Sequence, residues 1–369
     1  MKLAVTKEQL LTGLQAVQNV VSTRSTLPVL SNILLRASEN RLELTATDLD
    51  VSVSCNVEAN VTSSGAFTIP AKRFSGIVRE LGGLEIELEV DDKSACSITS
   101  GASYYKLHGL PADEFPNLQG FVEKSRLILP QEKVKTMLRR THFAVSTDET
   151  RYVLNGIFFS IRDHKMTMVA TDGRRLALAD EDVDVPAETV LEFIVPNKAI
   201  VELGRLLQAK GNVELRCGEN QIALLMSDDR GFSVLLTSKL VEGNYPNYRQ
   251  VIPGEAAERV TMVREELLCA LRRAEIMTSD KSNSVKLNFT RNTLTITANA
   301  PDIGEVRETL PINYKGKDVS IAFNPAFLMD PLKAVDTDEV FFDLTDELSP
   351  GVVKINGPFL YVIMPMRTT

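Results

Sequence analysis

The chain has 369 residues, 44% of them apolar and 24% charged, with a formal net charge of −8. That composition argues against disorder, and the length exceeds what one ordinary core holds, so two or three domains are expected. No apolar run reaches the roughly 18 residues of a membrane helix. The start, Met1-Lys-Leu-Ala-Val-Thr-Lys-Glu8, has no signal-peptide core, so a cytoplasmic protein with no membrane partner is expected.

In chain order, a short strand leads into a helix over 7–20, with Thr6 as cap, Gln9 completing a capping box, and Leu10, Leu14, Val17 and Val21 at helical spacing. A hairpin strand, Leu42-Glu-Leu-Thr-Ala-Thr-Asp48, follows. The junction Phe67-Thr-Ile-Pro-Ala-Lys72 opens a helix over 71–81 that ends at Leu81-Gly-Gly-Leu84. Residues 84–90 alternate strictly, as half-buried antiparallel strand does. Asp113-Glu-Phe-Pro-Asn-Leu118 reads as an aromatic–Pro–Asn turn that anchors the chain at a boundary.

Pro130 is expected in the first turn of a helix over 130–143, where its missing N–H costs nothing. Val134, Met137, Leu138 and Thr141 form one face of that helix, opposite Lys133, Lys135, Arg139 and Arg140. Two alternating strands flank Asp172-Gly173, a strong hairpin signal. Phe193-Ile-Val-Pro-Asn-Lys198 opens a helix over 197–210, and Gly243-Asn-Tyr-Pro-Asn-Tyr248 is a second boundary turn. Leu267, Leu268, Leu271 and Ala274 line a helix over 264–275, opposite Arg272 and Arg273. The strand Leu294-Thr-Ile-Thr-Ala-Asn-Ala300, the junction Ile321-Ala-Phe-Asn-Pro-Ala326, a helix over 325–335 and a final strand complete the pattern.

These landmarks repeat three times with a period of about 125 residues: Pro70 and Pro196 are 126 apart, Asp48 and Asp172 124 apart. Single helices between runs of alternating strands indicate an α+β fold. The expected domains are 1–122, 123–250 and 251–369. The six helical segments hold 15 Lys and Arg against 8 Asp and Glu, a balance of +7, which leaves −15 for the rest of the chain. Cations accumulate in helices because they are good helix formers; the same sorting also suits a basic lining that attracts a polyanion inside an acidic shell.

Catalytic chemistry is not indicated. There is no phosphate-binding glycine loop, no dinucleotide fingerprint and no nucleophile elbow. His108, His142 and His164 lack partners at ligand spacing, so no metal and no cofactor are expected, and Cys55, Cys96, Cys217 and Cys269 read as reduced structural thiols. Asp48 and Asp172 hold equivalent places and read as turn residues; an acid–base pair is the competing view, weakened by Ala300 at the third place. A scaffold independent of DNA is another. Two segments stand out. Tyr361-Val-Ile-Met-Pro-Met-Arg367 peels from its sheet at Pro365 to expose its methionines, or is an ordinary last strand with core methionines. Arg174 and Arg175 mark a binding edge or merely the wet side of a hairpin.

Together with the triplication, Thr26-Leu-Pro-Val-Leu-Ser-Asn32, Arg151-Tyr-Val-Leu-Asn-Gly156, Ala170-Thr-Asp-Gly-Arg-Arg-Leu176, Thr237-Ser-Lys-Leu-Val-Glu-Gly243 and Val362-Ile-Met-Pro-Met-Arg367 resemble, in order and along the whole chain, the beta subunit of bacterial DNA polymerase III, the sliding-clamp family. The resemblance implies three tandem clamp domains and a homodimeric ring, helices inside and antiparallel sheets outside. Duplex DNA would thread the ring without sequence preference. The implied partners are the polymerase III catalytic subunit, the clamp loader, translesion polymerases and repair proteins, and no active site is implied.

By position, partner peptides would use Leu154, Thr171, Gly173, Arg174, Arg175, Leu176, Pro246, Val251, Val362, Met364, Pro365, Met366 and Arg367. DNA would meet Arg24, Arg73, Tyr152, Val153 and Lys198. Tyr105 and Leu107 of one subunit would meet Ile276 and Met277 of the other. There are departures from the family pattern. Gln250 stands where a basic residue is expected at the groove edge. Val153 replaces an aromatic residue, and Asp148 and Glu149 should weaken DNA contact beside it. The strand around Ala102 and Tyr104 lacks arginines, which leaves Lys106 and Lys72 to face Glu305 and Glu308.

Overall fold

The computed structural model of the protein describes residues 1–21, 27–91, 94–118, 120, 122–186, 188–228, 231–279 and 283–367. Among them run six α-helices: α1 Lys7–Val17, α2 Ala71–Glu80, α3 Gln131–Thr141, α4 Asn197–Leu206, α5 Arg264–Glu275 and α6 Pro325–Ala334. All six fall where the apolar spacing or the repeated strand–helix junction puts them. The Thr6 hydroxyl accepts the Gln9 N–H at 3.3 Å and donates to the Gln9 side chain at 2.9 Å, so the capping pair closes through the hydroxyl. Two helices stop short of expectation. Val20 and Leu207 are fully buried but lie beyond the last turns of α1 and α4; burial, and not helix, continues the apolar pattern there. Pro130 is the last residue of Ser125–Pro130 and not a helical residue. That strand is at a sheet edge, where a missing N–H is tolerated.

Residues 1–135 and 198–240 form one compact unit, and residues 136–197 and 241–369 form another. In the first, a nine-stranded antiparallel sheet runs in the order Leu110–Pro111, Gly65–Pro70, Asn32–Ser38, Arg41–Thr47, Val51–Glu58, Ser233–Lys239, Gln221–Ser227, Asn212–Cys217, Ser125–Pro130. A five-stranded sheet runs Asn60–Ser63, Lys2–Thr6, Glu85–Val90, Ala95–Ser100, Ser103–His108. Leu10, Leu14, Phe74, Ile33, Leu35 and Leu42 are buried in this unit.

The second unit has an eight-stranded sheet, Leu191–Pro196, Gly156–Arg162, Lys165–Thr171, Arg175–Asp182, Phe359–Ile363, Gly351–Lys354, Glu339–Leu344, Glu258–Val263. Its four-stranded sheet runs Gly304–Pro311, Thr293–Ala300, Val285–Thr290, Val319–Phe323. Phe289, Phe323, Phe342, Tyr314 and Tyr361 fill its core. Residues of the middle third of the chain supply strands to both units, because Ser233–Lys239 pairs with Val51–Glu58 and Arg175–Asp182 pairs with Phe359–Ile363.

The repeat is visible in register. In the first unit Leu34 pairs with Thr45, Thr45 with Ser54, and Ser52 with Thr237. In the second Phe158 pairs with Val169, Val169 with Leu178, and Leu176 with Val362. Asp48 and Asp172 sit in matching turns. The Asp48 carboxylate accepts the N–H groups of Asp50 and Val51, at 3.0 and 2.7 Å, and Asp172 those of Arg174 and Arg175, at 2.8 and 3.1 Å. Both carboxylates therefore do the turn work read from their spacing.

Candidate functional site

In the second unit, Val169, Leu176, Tyr248, Val352 and Val362 form a buried cluster on one face of the eight-stranded sheet, with Phe158, Leu178, Tyr245, Ile252 and Leu360 partly buried against it. The boundary turn supplies its wall. Tyr245 stacks on Phe158 at 5.0 Å, and its hydroxyl donates to the Val169 carbonyl at 3.4 Å. The final strand stops at Ile363 and the chain then leaves the sheet. Met364 is 45% and Met366 39% exposed. The Met364 N–H donates to the Arg174 carbonyl at 2.9 Å and the Met366 N–H to the Ala322 carbonyl at 2.7 Å. The tail is thus a peeled segment with exposed methionines, held along one side of an apolar floor.

Of the expected groove residues, Leu176 and Val362 form that floor. Leu154 is buried, its carbonyl accepting the Ser146 N–H at 3.0 Å. The Thr171 hydroxyl donates to the Arg175 carbonyl at 2.6 Å and accepts the Gly173 N–H, closing the turn. Gly173 has φ +85°, a backbone conformation that L side chains rarely adopt, which favours glycine there. Pro246, Val251, Arg367 and Gln250 are exposed, and Pro365 is half-buried.

The two arginines part company: Arg174 is exposed, whereas the Arg175 side chain is only 10% exposed. Neither the binding edge nor the wet hairpin face describes Arg175. Tyr245, Tyr248, Val169, Val352 and Phe158 were missed as site residues. The repeated aromatic–Pro–Asn turn was the signal that could have found the tyrosines.

The cations expected to meet DNA are differently placed. Arg24 lies outside the described residues. Arg73 is exposed in the first turn of α2 and makes no ion pair among the described residues. Lys198 is ion-paired with Asp48, and its ammonium also donates to the Val20 carbonyl at 3.3 Å. Burial opposes ionisation of Asp48, but hydrogen bonds from Lys198 and the Val51 amide, with the lysine charge, outweigh it and hold the carboxyl below its usual range. Tyr152 is 58% exposed in the 3-10 turn Glu149–Leu154, with Val153 beside it. Gly243 packs so closely there that a Cβ would lie 3.0 Å from Val153. Asp148 is tied to the Thr150 amide and the Arg151 side chain, each at 3.0 Å, so its charge is partly answered locally.

Other helix cations hold the fold. Arg139 pairs with Asp336, and Arg205 pairs with Glu202 while donating to the carbonyls of Gln15 and Ala16, each at 2.7 Å. Only part of the excess helix charge is thus available to a polyanion.

Tyr105 and Leu107 lie on Ser103–His108, at one edge of the five-stranded sheet, where Tyr104 is 63% and Tyr105 41% exposed. Ile276, just past α5, is 72% exposed, and Gly304–Pro311 is an edge strand of the four-stranded sheet. Two of the four ions expected to face one another between subunits have partners within the chain: Lys106 pairs with Asp91 at 2.9 Å and Glu308 with Arg273 at 2.7 Å.

A cavity of about 990 Å³ lies on the nine-stranded sheet of the first unit, beneath Phe115, Pro116 and Leu118 of the other boundary turn. Phe115 is 7% exposed and packs with Val29, Leu30 and Leu34, anchoring the chain as expected. Thr45, Ser52, Ser54 and Thr237 line the floor of this cavity.

No group of three or more His, Cys, Asp or Glu among the described residues is placed to hold a metal, and no described helix is long and apolar enough to cross a membrane. Burial pushes the thiols of Cys55 and Cys96 up to about 12, so neither is a nucleophile at neutral pH.

Family models for the N-terminal, central and C-terminal domains of the DNA polymerase III beta subunit match residues 1–119, 128–247 and 249–367. The chain is 37% identical over 375 residues to the beta sliding clamp of Proteus mirabilis, covering all of both chains. It is 36% identical over 367 residues to that of Chlamydia pneumoniae, covering 100% of this chain and 99% of that one. A crystal structure of the DnaN sliding clamp from Bartonella birtlesii bound to griselimycin matches with TM-score 0.95 and 36% identity over all of both chains. Three tandem domains of one family, with full-length relatives above a third identity, show that the chain belongs to the DNA polymerase III beta subunit family, the sliding clamps.

Proposed function

We propose that two copies of this chain join head to tail into a closed ring around duplex DNA, each built of domains over 1–122, 123–250 and 251–369. The chain is a DNA sliding clamp for the polymerase, a non-catalytic processivity factor. The observation that carries the ring is the pair of edge strands. Ser103–His108 ends one sheet with Tyr104 and Tyr105 exposed, and Gly304–Pro311 ends another with Ile303 50% exposed beside it. Edge strands with exposed apolar side chains are built to pair. Tyr105 and Leu107 would meet Ile276 and Met277 there. Arg73, Lys198, Tyr152, Val153 and Arg24 would touch phosphates or sugar and no base edges, which allows sliding.

Polymerase catalytic subunit, clamp loader, translesion polymerases and repair proteins would take turns at the apolar groove of Leu176, Val362 and the methionine tail. Two or three buried apolar side chains contribute about 1.5–3 kcal/mol each, partly offset by lost freedom, so a single peptide binds at about micromolar strength. The cytoplasm is the compartment that fits. Deleting residues 364–369 tests the groove. The truncated chain is expected to remain a folded dimer and to lose polymerase stimulation; full stimulation would refute the assignment. Loading onto nicked circular DNA with a clamp-opening ATPase tests the ring, and a scaffold without closure would not stay on.

A further inference from the structure

We infer that Arg175 is a positioning residue: a buried latch that sets the floor and tail of the groove without touching the bound partner. The inference rests on the groove assigned above.

All three guanidinium nitrogens are engaged inside the second unit. Its Nε donates to Asp172 at 3.1 Å, one terminal nitrogen to Asp330, and the other to the Phe143 carbonyl at 2.6 Å. It lies 4.1 Å from the Phe327 ring centroid and 5.8 Å from that of Phe143. Three segments thus meet on one cation: the turn before Arg175–Asp182, the 3-10 turn His142–Ala144, and α6. Helix α6 needs this support. Pro331 lies inside it and has no N–H to give to Phe327, four residues earlier. The Tyr361 hydroxyl donates to that carbonyl at 2.8 Å, and the Tyr361 ring packs 5.6 Å from Phe143.

The latch is therefore closed by the last strand itself, one residue before the floor residue Val362. On the other side, Arg175 adjoins Arg174, whose carbonyl holds the Met364 N–H, and Leu176, the rest of the floor. A planar fork with five donors fits this three-way junction; a lysine ammonium does not.

The test uses griselimycin, measured by titration calorimetry on the full-length protein. Asp330→Asn, Asp172→Asn (which keeps the turn-capping oxygen) and Arg175→Lys are each expected to weaken it about tenfold. Combining Asp330→Asn with Arg175→Lys is expected to cost no more than Arg175→Lys alone, since both act through one junction. Methyl resonances of Met364 and Met366 should shift in all three single variants, a change that loss of global stability alone would not produce.

Unchanged affinity and unchanged methyl signals in Asp330→Asn would overturn the latch. So would tighter binding by Asp330→Asn together with loss in Arg175→Lys, which would mean that the guanidinium grips the partner directly. The truncation at residue 364 keeps the two readings apart. Griselimycin retained after truncation sinks the groove and the latch with it; griselimycin lost there but bound normally by Asp330→Asn sinks the latch alone.

Discussion

Replacing Arg73 by alanine separates attraction to DNA from retention on it. Arg73 is exposed without an ion-pair partner among the described residues, and Lys198 is held by Asp48, so the count rests on Arg73 and on Arg24, the other cation proposed to meet phosphate. Two such contacts per chain make about four per ring, which gives log affinity for a short linear duplex a slope of about −3.6 against log salt. Raising salt from about 50 to about 200 mM then weakens binding roughly 150-fold. Arg73→Ala removes about two contacts per ring, so the slope falls to about −1.8 and the same change of salt costs only roughly 12-fold. Fluorescence anisotropy with a labelled duplex of about 20 base pairs, long enough to pass through a ring, reads the slope. Gel filtration of protein loaded on nicked circles reads retention, which should be unaffected by both the substitution and the salt. An unchanged slope would remove Arg73 from the DNA contacts. Loss from circles in step with loss from linear duplex would refute closure as the source of retention.

Asp48→Asn should have the opposite effect. The amide keeps the oxygen that caps the turn but releases Lys198 from its ion pair, so linear duplex should bind several-fold more tightly with a steeper salt slope; no change would mean that Lys198 does not reach DNA. Asp343 predicts an acid limit to stability. It is 3% exposed, and it accepts Arg259 at 2.7 and 3.0 Å and Lys354 at 2.8 Å. Burial opposes its ionisation, but these two partners outweigh it and hold its carboxyl below the usual range. Its stabilising contribution is therefore complete above about pH 4 and is lost as pH falls through the lowered folded value. Urea unfolding at about pH 7 and about pH 3 should show a smaller drop for Asp343→Asn than for the unaltered chain; equal drops would show that this carboxylate is not the sensor.

The helices and the repeat were legible because both are local. Apolar spacing and the repeated strand–helix junction placed the six helices to within a few residues, and Asp48 and Asp172 announced identical turns. The fate of charged side chains was not legible, because it depends on partners far along the chain. Arg175 finds Asp330 and Arg139 finds Asp336 across more than 150 residues, and no spacing rule couples them. Lys198 reads as a free helix cation until its tie to Asp48 is seen. The groove was half legible. Its methionine tail carries a proline that interrupts a strand, whereas Val169 and Val352 read as ordinary core until the register sets them beside Leu176 and Val362.

Register also shows why the proposed groove has no apolar counterpart in the first unit. Thr45, Ser52, Ala223 and Thr237 occupy, strand by strand, the places of Val169, Leu176, Val352 and Val362. Phe115 stands for Tyr245 in the wall, so both units form a depression under an aromatic–Pro–Asn turn. Their chemistry differs. The hydroxyls of Thr45, Ser52 and Thr237 make no side-chain hydrogen bond among the described residues and line the open floor of the depression, where water would satisfy them. An apolar side chain docking there would strip that water and return nothing, at a cost of about 1–3 kcal/mol for each hydroxyl left unpaired. That is as large as the gain from burying the side chain itself. Two depressions of equal register thus differ in chemistry: the proposed groove has an apolar floor and its counterpart a floor of hydroxyls, so on this reading the number of docked partners would follow the number of chains.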